Sequence, residues 1–344
     1  MGGRWRDPET RGARGAADGL AGVQWLLFQF TNIVVIPITV GAAFGLGQEK
    51  TLALLQLSFV VTGLACLAQA VLGHRRAIME GQSGLWWGVV LVLFASSAAQ
   101  GVPLAVAGGS LAVGVVASGL LFVIIGVSGL GHWLAGLFNP AVMGVFTFLL
   151  GCQLTGIFLK GMFGLPFGAN PGSAAGDVSG TEQASMAKGV PDMLGVSEAA
   201  MIDVPVALFS SALVAVVLIF SVKAPGPWRR YALLFGIVVG WPVYALLFPS
   251  EAASELPAFR VVLFPFGGPA WDMGIILMAV LAGLLNTANT FGALKGTEPL
   301  YGNTTTKAQY RRSFAVTGTV NILSGVFGLV PYAPYVSSIG FLRQ

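Results

Sequence analysis

Charge is scarce in this sequence. Of 344 residues, 18 are Lys or Arg and 14 are Asp or Glu, or 9% charged, where a soluble globular domain carries about 25%. With 55% hydrophobic residues and a mean hydropathy of +0.81, too little polar side chain remains to cover a water-soluble body. A soluble enzyme, a nucleic-acid binder and a disordered tail are excluded. The net charge of +4 and pI near 9.2 come from basic residues scattered in ones and twos, which read as topology determinants of a membrane protein.

Chemistry-bearing residues are scarce too. The two histidines, His74 and His132, lie near the ends of apolar runs. No H-E-x-x-H occurs, so there is no intramembrane zinc protease, and no G-x-x-x-x-G-K-[ST] occurs, so no fused nucleotide-driven pump. No span carries a carboxylate pair at helical spacing, which removes a catalytic dyad or di-metal centre. The chain is read as a non-enzyme with no metal and no cofactor. Cys66 and Cys152 each sit inside an apolar run without a C-x-x-C, and read as packing residues. Glycine, by contrast, is abundant at 48 residues, which suits closely packed membrane helices.

A membrane helix needs about 20 apolar residues. Runs of that kind fall near 20–46, 51–72, 85–99, 110–130, 138–160, 203–222, 230–248, 272–294 and 312–330, and a tenth begins near 331. The third is short and follows the polar stretch Met79-Glu80-Gly81-Gln82-Ser83-Gly84. The tenth opens on Pro331-Tyr332-Ala333-Pro334-Tyr335-Val336-Ser337-Ser338. Neither can be helical from its first residue. Irregular backbone at membrane depth survives only where protein or a water-filled cavity satisfies it, and a pair of interrupted spans points to a transporter's binding site. The two lie seven spans apart. An odd repeat inverts its second copy, so the expected fold is an all-α, seven-plus-seven inverted repeat, with spans one to nine and the start of the tenth present.

Basic residues set the orientation. With the N-terminus inside, inner segments hold Arg4, Arg6, Arg11, Arg14, Arg75, Arg76, Lys223, Arg229, Arg230, Lys295, Lys307, Arg311 and Arg312. Outer segments hold only Lys50, Lys160, Lys188 and Arg260, leaving Arg343 within the tenth span. This is the positive-inside pattern, with residues 1–19 a cytoplasmic leader. The stretch 163–202, rich in Gly, Ala, Ser and Asp, reads as an external loop. Asp203 and Asp272, at span starts, suit helix N-termini.

The first span, Gln24-Trp25 through Pro37, and the two broken segments together resemble the nucleobase–ascorbate transporter family, the nucleobase:cation symporters that include uracil, xanthine and uric acid permeases. Trp25 stands where that family usually has His. Gly81-Gln82-Ser83-Gly84-Leu85-Trp86 is similar to the family's Gly-Ser-Ser-Phe-Ala-Phe strand. Tyr335-Val336-Ser337-Ser338-Ile339-Gly340 is similar to its signature, with Ser337-Ser338 in place of an acidic or Gln residue and Asn. In the eighth span the family places a Glu, and here Asn286 is read at that point. His74 to Gly81, Gly84 to Gly88 and Tyr310 to Phe314 look closest to a less-studied purine-permease branch. The chain stops inside the signature, and so reads as a C-terminally truncated carrier.

A nucleobase needs an apolar face and convergent polar edges. Trp86 is the candidate for stacking, against an interfacial tryptophan as the plain alternative. Asn286 can donate to and accept from a base edge, or bond another helix; Thr290 lies one turn on. Val336, Ser337 and Ser338 flank the second break, where serine either contacts ligand or caps the half-helix that follows. Gln24, Asn32, Asn289 and Gly340 are expected to brace the broken segments. Glu80 is the acid beside the first break: either a proton-coupling carboxylate or an ion-pair partner of Arg75 or Arg76.

The resemblance implies a core domain of spans one to four (20–135) and eight to ten (271–344) moving against a gate of spans five to seven (136–250). It implies a plasma-membrane permease for a purine such as xanthine, hypoxanthine or uric acid, working by alternating access with H+ symport, Na+ being the alternative ion. A homodimer in the lipid bilayer is expected of the full-length carrier. The competing readings are an inorganic-anion carrier of the same fold and a non-transporting remnant.

Overall fold

The computed structural model describes residues 8–165, 202–249 and 258–343. Nearly all of the expected external loop therefore lies outside the described residues, as do residues 1–7 of the expected leader. The rest of the leader is helical. Helix α1 runs Pro8–Ala43, 36 residues, or about 54 Å at 1.5 Å per residue, well beyond a hydrocarbon core of about 30 Å. Its membrane-crossing part is Gly19–Ala43.

The elements then follow the apolar runs closely: α2 (Gln48–Val71), β1 (Glu80–Gln82), α3 (Gly84–Ala99), α4 (Leu104–Ser128), the short α5 (Leu130–Leu134), α6 (Pro140–Met162), α7 (Val204–Lys223), α8 (Ala232–Leu247), α9 (Met273–Tyr301), α10 (Lys307–Phe327), β2 (Tyr332–Pro334) and α11 (Ser338–Leu342). Among the described residues, six helices are long and apolar enough to cross a membrane, with α3 and α8 shorter apolar helices. Helix α10 has the length, but Ser313, Thr317, Asn321 and Ser324 lower its hydropathy. All four are fully buried, so this part of its polarity faces protein and not lipid, while Lys307 and Arg311 in its first turns are exposed.

Local chemistry sets the ends. Asn139 accepts from the Val142 amide at 2.9 Å ahead of Pro140, Asp203 from Val206 at 3.1 Å and Asp272 from Ile275 at 3.1 Å. These are N-caps, as placed by sequence for both aspartates. Thr306 and Gln309 form a reciprocal capping box on α10. Gly129, Gly302 and Gly328 end α4, α9 and α10 in the left-handed conformation.

Helices α4 and α10 make the closest crossing. A Cβ on Gly126 would stand 2.7 Å from the Ala315 amide, and one on Gly318 2.7 Å from the Gly119 carbonyl; only glycine permits that approach. Helix α9 packs on α4, and α2 on α10. Helices α7 and α8 pack on each other, α8 also touches α1, and α6 lies across α3 and α9. Helix α7 buries no residue.

The two broken spans meet inside this frame. Strands β1 and β2 pair antiparallel, with Glu80 opposite Pro334, Gly81 opposite Ala333 and Gln82 opposite Tyr332. Backbone bonds extend the ladder, Ser83 N–H to Pro331 at 2.8 Å and Tyr335 N–H to Met79 at 2.8 Å. Antiparallel pairing is what two segments entering from opposite ends of the bundle require. Each satisfies the other's backbone at a depth where lipid could not.

Candidate functional site: the junction of the two broken spans

Side chains alternate across a strand, so β1 offers two faces. Glu80 and Gln82 point one way, toward α2 and α10. Gly81 and Ser83 point the other, toward α1 and α9.

On the α9 face, Asn286 is the centre of a neutral hydrogen-bond network. Its Oδ1 accepts from the Ser83 hydroxyl at 2.7 Å and from Asn289 Nδ2 at 2.9 Å. Its Nδ2 donates to the Tyr332 carbonyl at 3.2 Å, so one amide ties α9 to both broken spans. Asn286 is fully buried while Asn289, three residues on, is 6% exposed. The structure thus turns Asn286, read from sequence as a base contact, into the junction, and leaves Asn289, read as a brace, at its more open end. Helical phase accounts for this: residues three apart share a face but sit one turn apart along it. Thr290 is fully buried, its hydroxyl without a protein partner.

The second break contributes differently at each residue. Ser337 is exposed and makes no side-chain cap. Ser338 is fully buried and its hydroxyl accepts from the Met79 amide at 3.0 Å, stitching one broken segment to the other instead of capping α11. Val336 stands beside Gly292, where an added Cβ would lie 3.1 Å from its methyl. Gly340 is exposed and free of close neighbours.

Helix α1 braces the junction through a residue sequence reading passed over. Gln29 Nε2 donates to the Glu80 carbonyl at 2.9 Å. Asn32, expected in that role, donates to the Phe28 carbonyl of its own helix at 2.9 Å. Gln24 is buried at 3% exposure. Gly81 lies between Gln29 and Tyr335: a Cβ there would meet Tyr335 Oη at 2.5 Å and Gln29 Nε2 at 2.7 Å. The Tyr335 hydroxyl in turn donates to the Gln82 carbonyl at 2.8 Å.

Trp86, the expected stacking platform, is fully buried with its indole N–H unpaired. It belongs to an apolar cluster onto which Phe146, Leu150, Leu154 and Ile157 of α6 pack. Gln153 Nε2 donates to the Leu85 carbonyl at 3.2 Å, and Met143 reaches Gly292. Helix α6 is therefore seated over the first turns of α3, and Trp86 is packed away from solvent. Trp87 points elsewhere, its indole N–H donating to Thr39 at 2.8 Å.

On the opposite face Glu80 is fully buried, and its Oε1 accepts from the Thr317 hydroxyl at 2.7 Å. The ion pair with Arg75 or Arg76 does not form. Arg76 instead turns to α9, donating to the Leu294 carbonyl at 2.7 Å, Thr297 at 3.0 Å and Asn303 Oδ1 at 2.9 Å; Arg75 Nε donates to Val71 at 3.0 Å. Nearby, burial and then the Arg76 charge hold the His74 imidazole down at about 4.

The groups gathered on the α9 face are uncharged amides and hydroxyls, able both to donate and to accept. Among the described residues there is no cluster of His, Cys, Asp and Glu able to hold a metal. A narrow apolar pocket lies elsewhere, lined by Val40, Val90, Leu111 and Phe266 among others; it does not border the asparagines.

Comparison with known proteins places the chain in a family. A putative purine permease of Bacillus subtilis, YwdJ, is 25% identical over 340 residues, covering 94% of this chain and 68% of that protein. The uric acid permease PucJ of the same organism is 23% identical, covering 93% of this chain and 65% of the relative. Its xanthine permease is 22% identical, covering 94% and 66%. The chain thus spans about two thirds of the length of these relatives. Among solved structures, the transmembrane domain of a cyanobacterium bicarbonate transporter, BicA, superposes with a TM-score of 0.53 at 18% identity, over 92% of this chain and 74% of that one; this shows a shared transporter fold. The profile of the Permease family designated Xan_ur_permease matches residues 18–191 and 184–344, and the chain therefore belongs to that family, the nucleobase–ascorbate transporters, which are permeases and not enzymes.

Proposed function

We propose that this chain is a multi-pass plasma-membrane permease, N-terminus inside, that binds a purine such as xanthine, hypoxanthine or uric acid at the junction of its broken spans. The observation that carries the reading is the uncharged set Ser83, Asn286 and Asn289, held where β1, β2 and α9 converge. A neutral oxopurine carries donors and acceptors that hydroxyls and amides can match, without the desolvation cost of a charged partner. Relatives named for purine, uric acid and xanthine transport support the substrate class.

In this reading α1 to α4 and α9 to α11 belong to the core, and α6 to α8 to the gate. Alternating access then moves α6 off the start of α3, freeing Trp86 to stack on a base, a contact worth about 1–3 kcal/mol. Asn289, Thr290, Val336, Ser337 and Ser338 line the remaining edge, and Asn286 orients Ser83 and Asn289. Glu80 carries the coupling proton, with Na+ as the alternative ion. In the membrane the carrier works as a homodimer.

The test is thermal stabilisation of the purified chain by xanthine, hypoxanthine, uric acid, uracil, bicarbonate and sulfate. A purine that stabilises the wild type and neither Asn289→Ala nor Trp86→Ala supports the reading. At a hundred times its dissociation constant, such a ligand adds about 2.7 kcal/mol. Stabilisation by bicarbonate or sulfate alone overturns it in favour of an anion carrier. A folded chain that no base stabilises overturns base binding by this polypeptide.

A further inference from the structure

Glu80 is the only acidic side chain among the described residues that is fully buried. It leaves β1 on the face opposite Ser83 and enters the seam between α2 and α10. Thr317 donates to its Oε1 at 2.7 Å. Gln69 Nε2 donates to the same threonine oxygen at 2.9 Å and to the Ser313 carbonyl at 3.2 Å. Glu80, Gln69, Ser313 and Thr317 are all at 0% exposure. Glu80 Oε2, Gln69 Oε1 and the Ser313 hydroxyl have no protein partner.

No cation balances the carboxyl: the only salt bridge among the described residues is Arg260 to Glu49, on the surface. The titratable groups near it are Cys66 from α2, whose sulfur meets the Glu80 backbone, Tyr332 from β2, and Tyr335 just after that strand. From α1 comes only the neutral amide of Gln29. A lone buried carboxyl in such surroundings is far cheaper neutral than charged, and any change in its charge requires a proton to be delivered or removed.

The seam leads outward along α10. Two turns before Thr317, Gln309 donates to the His74 carbonyl at 3.0 Å, and Arg312 donates to the Gly73 carbonyl at 3.1 Å. From Thr317 back to Gln309 is about 12 Å along the helix. At that end Arg312 and His74 stand beside water-accessible chain, Arg75 and Lys307 being exposed.

We propose that the seam between α2 and α10 is a proton-entry site separate from the base cleft: the proton reaches Glu80 past Ser313, Gln69 and Thr317, from the 72–79 connection. Base and proton occupy opposite faces of β1 and never touch. They communicate through the strand pair, which Asn286 holds from one side and Glu80 from the other. This rests on the coupling role given to Glu80 above.

The experiment is infrared spectroscopy of the full chain over a pH series, followed by a jump into D2O. The protonated Glu80 carboxyl gives a C=O band that Glu80→Gln removes. Its deuterium shift slows at least tenfold in Ser313→Val and recovers in Ser313→Thr. It keeps its rate in Met143→Phe, which fills the cleft side instead. Gln69→Leu gives the same slowing, should Ser313→Val fail to fold. A band that Glu80→Gln leaves in place overturns the proposal, as does slowing by Met143→Phe and not by the seam variants. The readout needs no ligand, so failure of purine binding is seen separately, in the stabilisation assay.

Discussion

The two faces of strand β1 solve the same problem in opposite ways. Both bury polar side chains in the middle of a membrane protein. On the α9 side the groups are neutral and, the Thr290 hydroxyl apart, bonded to one another: Ser83, Asn289 and the Tyr332 carbonyl all converge on Asn286. On the α2–α10 side a carboxyl has one oxygen satisfied by Thr317 and the other left without a donor. A satisfied network is rigid and specifying, while an incompletely satisfied one is poised for change. The first face suits recognition of a fixed edge, the second a group that changes protonation.

Several measurements would break or sharpen that contrast. Asn286→Leu strips partners from three buried groups at once, and should cost about 3 kcal/mol or more in thermal or denaturant unfolding, with all purine stabilisation gone. A loss under 1 kcal/mol would mean that the network does not hold the junction.

Acid sensitivity should belong to the connection at the mouth of the seam. His74 is fully buried, its Nδ1 accepting from the Arg76 amide at 3.1 Å. Its folded value, about 4, lies below the ordinary 6.5, so the unfolded chain takes up the proton first. Stability should therefore fall as pH drops from about 6.5 to about 4, by roughly 2–3 kcal/mol, and level off below. His74→Gln should flatten that slope; an unchanged slope would assign it to another group.

Gly81→Ala places a methyl against Tyr335 and Gln29 and should cost about 2 kcal/mol, read as a lowered unfolding midpoint. Thr317→Val removes one hydrogen bond to the carboxyl while keeping shape. It should cost about 1 kcal/mol and leave purine affinity within twofold at a pH where Glu80 stays protonated. Equal damage to purine binding from Thr317→Val and from Asn289→Ala would erase the distinction between the faces.

Much of the fold was legible from apolar run lengths, because a span must match the bilayer whatever its neighbours. Run 272–294 anticipated α9, and 138–160 anticipated α6, each within a few residues at its start. The broken spans were legible from polar, Gly- and Pro-bearing stretches no membrane helix would open with. What run length does not encode is direction. Nothing in the sequence says that Gln29 and not Asn32 reaches β1, since both lie on one helix and differ by three residues of phase. For the same reason Asn286 and Asn289 exchange places between junction and open end. Residues 8–19 were read as a leader because they are polar, yet helix formation needs no apolar run, and α1 extends through them. Arg76 was counted among the inner basic residues for its charge alone, but its buried bonds to α9 involve partners more than two hundred residues away. No local pattern carries that.

The claim that proton and base sit on opposite faces of β1 is tested most directly by purine affinity measured across pH in the wild type and in Glu80→Gln. The account predicts that the variant binds the purine within a fewfold of wild type and loses the pH dependence. Abolished binding in Glu80→Gln would put Glu80 in contact with the base, and an unchanged pH dependence would put the proton elsewhere; either contradicts the account.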